Sequence, residues 1–206
     1  MAKSIIPISK DMAIQSIKPN IKVEFFTDLE LDQIFEYIQN KINTDSMKKN
    51  YHKRYLLLFK TLLRTGGRID EILQLRPCDF NLNINTVSLI TLKKKFYTTR
   101  TIPLHPDLKD AIMTYFLEFN INPKSSELLF KVKRQSVDEY MKKMQNELGI
   151  KIHAHKFRHT FAVNAILAHV PLNILQNWLG HSSVFTTSIY TEITGYDTSK
   201  FMNEIP

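Results

Sequence analysis

The chain has 206 residues, 43% of them hydrophobic and 23% charged, proportions that exclude a disordered polymer and fit one folded domain with a short appendage. Its formal charge is +8 and its isoelectric point about 9.4, which favours a polyanionic partner such as nucleic acid. Cys78 is the only cysteine, so neither a disulfide framework nor a cysteine-based metal site is expected.

Residues 1–22 contain Pro7, Pro19 and several lysines without sustained periodicity, and read as a linker or arm. No apolar run reaches the roughly 18 residues of a membrane span, and the N-terminus lacks a signal-peptide core. The expected compartment is therefore the cytoplasm, on the nucleoid if the source is bacterial, with no membrane partner. Thr27 followed by Glu30 is a capping-box signature, and Leu29, Leu31, Ile34, Phe35 and Ile38 give the stripe of a first helix ending near Asn40. Residues 41–50 read as a polar loop.

From Lys48 to Arg68 there are seven basic residues (Lys48, Lys49, Lys53, Arg54, Lys60, Arg64 and Arg68) and no acidic one. Around the apolar run Tyr55–Leu63, that pattern predicts a buried helix with a basic face. Lys48, Lys49, Lys53 and Arg54, with Lys93 and Lys94 further on, become candidate contacts to a phosphate backbone, against the plainer reading of a solvated charged face.

Thr65-Gly66-Gly67 breaks this helix, and a new one starts at Arg68, with Glu71 three residues on and Pro77 ending it. Phe80 to Ile84, Val87 to Leu92 and Thr99 to Leu104 are three extended runs, with Lys93, Lys94 and Lys95 on the hairpin tip between the second and third. A helix is predicted from Pro106, then a loop over 120–127. Ser136 with Glu139 reads as a second capping box, leading a helix that ends at Gly149. Helices over 155–168 and 172–179 follow, the latter closed by Gly180, and a last helical turn runs from Ser183 to Tyr190. The fold class is mainly α with a small three-stranded antiparallel β-sheet.

Breaking a phosphodiester without metal needs a nucleophile, cationic donors for the phosphate oxygens, and an acid for the departing oxygen. Arginine suits the second task, because its planar fork meets phosphate bidentately and stays charged. Tyrosine, with a free pKa of about 10, becomes a nucleophile only when its proton is drawn off and its oxyanion stabilised. Arg68, His155, Arg158, His181 and Tyr190 supply such a set. Singly, each has a plainer reading: Arg68 as a surface residue, Tyr190 as a packing residue, His153 and His159 as structural. His155 and His159 stand four apart on a helix, as zinc ligands do, but Lys156 occupies the place of the general-base glutamate. No metal and no cofactor is expected.

The blocks TGGRIDEILQL, HAHKFRHTFA, LGHSSVFTT and SIYTEI resemble, in order, those of the tyrosine recombinases, the phage-integrase and Xer-like site-specific DNA recombinases. The resemblance spans residues 23–193 and implies that family's catalytic-domain fold. It implies that Arg68 and Arg158 grip the scissile phosphate, that His155 contacts it and helps accept the tyrosine proton, and that His181 hydrogen-bonds a phosphate oxygen. Tyr190 is then the nucleophile forming a 3′-phosphotyrosyl link, and Glu71 the supporting acid. The family's general-acid lysine lies eight residues before the proline closing the third strand, which gives Lys95, with Lys93 and Lys94 within a short loop shift. The implied partners are double-stranded DNA with inverted-repeat sites and further copies of the chain, from dimer to tetramer. The tail, 194–206, carries Tyr196, Phe201, Met202 and Ile205; against the plainer reading of a frayed terminus it is expected to dock, on its own chain or on a neighbouring subunit as in the family.

Most relatives carry a separate N-terminal DNA-binding domain, where this sequence has 22 residues. The resemblance thus implies either a catalytic fragment or a short recombinase like those of fimbrial inversion switches. The same chemistry serves type IB topoisomerases and telomere resolvases, and the same fold could serve a non-catalytic DNA-binding regulator.

Overall fold

Thr27 and Glu30 form the expected reciprocal cap: the Thr27 hydroxyl accepts from the Glu30 N–H at 3.2 Å, and the Glu30 carboxylate accepts from the Thr27 N–H at 2.9 Å. They open α1, Asp28–Thr44, in a computed structural model that describes residues 23–91 and 98–181. The helix runs four residues past the predicted end, because Ile42 extends the buried series Ile34, Ile38, each one turn beyond the last. Much of the expected 41–50 loop is accordingly helical. A 3-10 turn, Ser46–Lys48, leads directly into α2, Lys49–Thr65.

α2 is the central helix, packed against α1 and two later helices, α4 (Pro106–Glu118) and α6 (Ala154–Leu167). Tyr55, Leu58, Phe59 and Leu62 are fully buried on it, each contributing about 1.5–3 kcal/mol from removal of apolar surface. Phe59 stacks on Phe157 with ring centroids 5.4 Å apart, and Tyr55 stacks on Tyr140 at 4.1 Å. These contacts tie α2 to α6 and to α5, Arg134–Leu148.

The helix beginning after Arg68 is only one turn, α3 (Ile69–Leu73); it stops before Pro77, which instead opens a 3-10 turn. The three extended runs form an antiparallel sheet in sequence order, β1 (Phe80–Asn81), β2 (Thr86–Thr91) and β3 (Thr98–Pro103). β1 is shorter than its alternating pattern suggested. The register sets Val87 opposite Ile102 and Leu89 opposite Arg100.

α5 starts at Arg134 with Lys133 as its cap residue, so Ser136 and Glu139 lie inside the helix and form no capping box. The i, i+3 spacing of such a box is also the spacing of residues on one helix face, and the pattern alone does not separate the two. α7, Leu172–Leu179, packs on α6 and on β3. With Ala162, Val163 and Ile166 of α6, its Leu175 and Leu179 make a second, smaller core. Among the described residues, no helix is long and apolar enough to cross a membrane. The arm 1–22, the hairpin tip with Lys93, Lys94 and Lys95, the helical turn with Tyr190 and the tail 194–206 lie outside the described residues.

Candidate active site

α2 ends at Gly66, whose backbone is left-handed (φ 60°) and whose N–H returns to the Leu62 carbonyl, a stop that favours glycine. Space demands glycine as well. A Cβ there would lie 2.3 Å from Cδ1 of Phe161 and 3.0 Å from Cδ2 of Leu179. The end of α2 is thus pressed directly onto α6 and α7.

Two residues on, Arg68 caps α3. Its N–H donates to Oε2 of Glu71 at 2.9 Å, and its Nη1 donates to Oε1 of the same carboxylate at 3.0 Å. Glu71 is 1% exposed. A buried carboxylate is costly unless paired and hydrogen-bonded, and a third donor comes from β3, where Nη2 of Arg100 reaches Oε2 at 2.6 Å. Burial raises the Glu71 pKa, but the Arg100 and Arg68 partners more than offset it and hold the carboxyl below its ordinary range.

Arg158, on α6, is also buried. Its Nη1 donates to the Gly66 carbonyl at 2.6 Å and its Nη2 to the Leu179 carbonyl at 2.7 Å. Both acceptors sit at helix C-termini, where unsatisfied carbonyls carry negative partial charge and favour a cation. Nε of Arg100 takes the neighbouring carbonyl of Trp178 at 2.7 Å, so two guanidinium groups close the end of α7.

His181 follows immediately. Its N–H donates to the Gln176 carbonyl at 3.2 Å, while Gly180, left-handed at φ 64°, donates to Asn177 at 3.1 Å. This paired closure is a Schellman motif. Gln176 Nε2 also donates to the His181 carbonyl at 3.2 Å, fixing the backbone that carries the imidazole. A cleft beside it is lined by Thr91, Thr98, Arg100, Gln176, Gly180 and His181.

Burial, then the charges of Arg158, Arg68 and Arg100, pushes the His181 pKa down to about 4. His159 is lowered to about 4 by burial and then by His155 and Arg158. His155, in the first turn of α6, is lowered in the same direction by partial desolvation of its ring and then by Arg158. These imidazoles are therefore neutral at neutral pH, each with one ring N–H to donate. Among the described residues no group of His, Cys, Asp and Glu is placed to hold a metal ion.

The structure brings Arg68, Glu71, Arg158 and His181 together from α3, α6 and the end of α7, with His155 one turn before Arg158. Lys95 and Tyr190 lie outside the described residues, as do Lys93 and Lys94. Of the candidate backbone contacts, Lys48 and Lys49 are exposed where the 3-10 turn meets α2. The Lys53 amine is held by Glu118 of α4, and Nε of Arg54 is buried with no hydrogen-bond partner among the described residues. Lys156 is a structural cation: buried, bonded to Glu30 at 3.1 Å and 4.3 Å above the Phe26 ring. His153 caps α6 by accepting from the Lys156 N–H at 3.2 Å.

Sequence reasoning missed Arg100. The signal was present in Thr98-Thr-Arg-Thr-Ile: alternation puts Arg100 on the face of β3 that buries Ile102, and a charge on a core face needs a partner.

A cationic site is assembled at three helix ends, on a mainly helical scaffold with one small sheet, and its guanidinium groups suit an anionic group. The phage integrase family matches residues 24–195, and the chain belongs to that family. It is 27% identical to the tyrosine recombinase XerC of Staphylococcus saprophyticus over 88% of this chain and 62% of that protein. It is likewise 27% identical to a tyrosine recombinase of Pseudothermotoga lettingae, over 88% of this chain and 60% of that one. The chain thus spans about three fifths of the length of these curated relatives. The catalytic domain of bacteriophage HP1 integrase superposes with a TM-score of 0.62 at 19% identity, covering 88% of this chain and 95% of that one. A XerH recombinase bound to its difH substrate superposes with a TM-score of 0.63 at 26% identity, covering 81% and 49%.

Proposed function

We propose that this chain is the catalytic part of a metal-independent, site-specific DNA recombinase that cleaves and rejoins strands through a 3′-phosphotyrosyl intermediate. The observation that carries the reading is the convergence of Arg68, Arg158 and His181, each fixed by hydrogen bonds at a helix end, in a chain of the phage integrase family. Two relatives are named tyrosine recombinases, and one structural neighbour was captured with its DNA substrate before cleavage.

In this reading the Tyr190 oxygen attacks the scissile phosphorus, the bond to the 5′-oxygen breaks, and Lys95 delivers a proton to that oxygen. Arg68 and Arg158 neutralise the charge on the phosphate oxygens, and neutral His181 donates a hydrogen bond. His155 helps accept the tyrosine proton. Guanidinium groups already fixed before DNA arrives need little reorganisation as charge develops. The partner is double-stranded DNA carrying inverted repeats, bound in the cytoplasm by two to four copies of the chain, with the tail 194–206 docking between copies.

The test is to incubate the protein with a pool of nicked duplexes carrying a randomised site, in EDTA, and to isolate covalent protein–DNA adducts. The expected result is an adduct that survives EDTA and is absent from Tyr190→Phe. Persistence in Tyr190→Phe, or loss with EDTA, overturns the mechanism. DNA binding without any adduct makes the chain a regulator, and plasmid relaxation without strand exchange makes it a topoisomerase.

A further inference from the structure

Arg100 makes three side-chain hydrogen bonds, to three separate elements: Nε to the Trp178 carbonyl at the end of α7, Nη1 to the Thr91 hydroxyl of β2 at 3.1 Å, and Nη2 to Glu71 of α3 at 2.6 Å. Its side chain is 9% exposed, against 20% for Arg68. The stem passes over Gly180, where a Cβ would lie 3.2 Å from its Cδ, Nε and Nη1. Arg100 is thus a spacer of fixed length between the carboxylate that holds Arg68 and the helix end that carries His181.

The charges of this cluster do not cancel. Glu71 brings one negative charge to two guanidinium groups; Arg100 shares Oε2 with the Arg68 backbone N–H, and the Arg68 guanidinium meets the carboxylate through Nη1 alone. Without Arg100, both carboxylate oxygens would turn to Arg68, whose fork matches a carboxylate as well as it matches phosphate. The one remaining cation would then be neutralised from within.

We propose that Arg100 is a positioning residue for strand cleavage: by bonding to Oε2 of Glu71 it restricts the Arg68 guanidinium to a contact through Nη1, keeping that guanidinium available to the phosphate, and it fixes His181 relative to it. Other nearby cations hydrogen-bond to groups other than Glu71. Arg158 bonds to Gly66 and Leu179, and Arg134 of α5 is turned to Asp70 and Asp138. The proposal rests on the recombinase reading of the same site.

The test compares Arg100→Gln and Arg100→Lys with the unsubstituted chain, using a nicked duplex that the unsubstituted chain is first shown to attack. Single-turnover adduct formation at saturating DNA should fall about 100-fold in Arg100→Gln, the loss expected for a misplaced catalytic group, while DNA affinity changes less than about threefold. Removing a cation beside Glu71 should also move the acid limb of the pH–rate profile up by about one unit or more. The upward shift should be absent from Arg100→Gln/Glu71→Gln, which has no carboxylate to titrate and keeps only the limb set by His155 and His181. Arg100→Lys, keeping the charge but not the fork, should restore the limb's position and part of the rate.

A folded Arg100→Gln that cleaves at the unsubstituted rate overturns the proposal, as does a rate loss explained by DNA affinity or by the unfolded fraction with an unmoved pH profile. If Arg100→Gln does not fold, Arg100→Lys decides: cleavage at the full rate excludes a role for the fork. If the unsubstituted chain forms no adduct, the recombinase reading itself has failed.

Discussion

Glu71 and Asp107 are each held between two cations, and they lie at different depths. Glu71 sits between Arg68 and Arg100 with its side chain fully buried. Asp107, in the first turn of α4, sits between Lys60 and Arg64 of α2 with its side chain 38% exposed. At Glu71 the surrounding protein replaces water, so the guanidinium groups are required for the carboxylate to stay charged at all. At Asp107 solvent screens the attraction and competes for it. Similar charges at similar distances therefore do different work: one trio fixes a site, the other joins two helices and quiets part of a basic face.

Removing the buried carboxylate should have the largest effect. Glu71→Ala leaves two guanidinium groups without their shared anion and should lower the unfolding free energy by about 3–5 kcal/mol in urea titration, the cost typical of breaking a buried ion pair. A loss below about 1 kcal/mol would put Glu71 in the surface class.

Acid should act next, and mainly at the site. His159 and His181 bind protons more weakly when folded, with pKa values near 4, than at about 6.5 in the unfolded chain. The unfolded state then carries more protons between those values, so stability rises with pH. Melting temperature should fall as pH drops from about 6.5 toward 4, and further once Glu71, held below its ordinary range, is forced to protonate. A melting temperature constant over that window would mean that these imidazoles are not desolvated.

The smallest effect is expected at the exposed trio. Asp107→Asn should cost about 0–1 kcal/mol and leave adduct formation unchanged. A loss equal to that of Glu71→Ala would erase the distinction by depth.

The same distinction explains what the sequence could tell. Periodicity and capping letters report local preference, and they located α1, α2, α4, α6, α7 and the sheet to within a few residues. Resemblance of the motif blocks to a family, and not periodicity, singled out Arg68, Arg158 and His181 before any geometry showed that those blocks meet. Pairing across the chain is a different kind of information. The acid-free stretch from Lys48 to Arg68 looked uniformly basic because its partners Asp107 and Glu118 lie 43 to 65 residues away, on a helix that only folding brings alongside. Arg100 was missed for the same reason, since its partners Glu71 and Trp178 stand on opposite sides of it in the chain. The end of α1 was misjudged because Ile42 is buried by α2, a contact that outweighs the polar letters around it.

Gly66 gives the fold a property of another kind. One atom group without a side chain is the stop of α2, the seat for Phe161 and Leu179, and the acceptor for Arg158. Three connections share one position, so the energies of changing them are not independent. In a double-mutant cycle, Gly66→Ala and Arg158→Lys would share a coupling term, because each disturbs the seat on which the other depends. The two arginine-bearing halves of the site are joined there through backbone, which makes their relative placement a single mechanical variable.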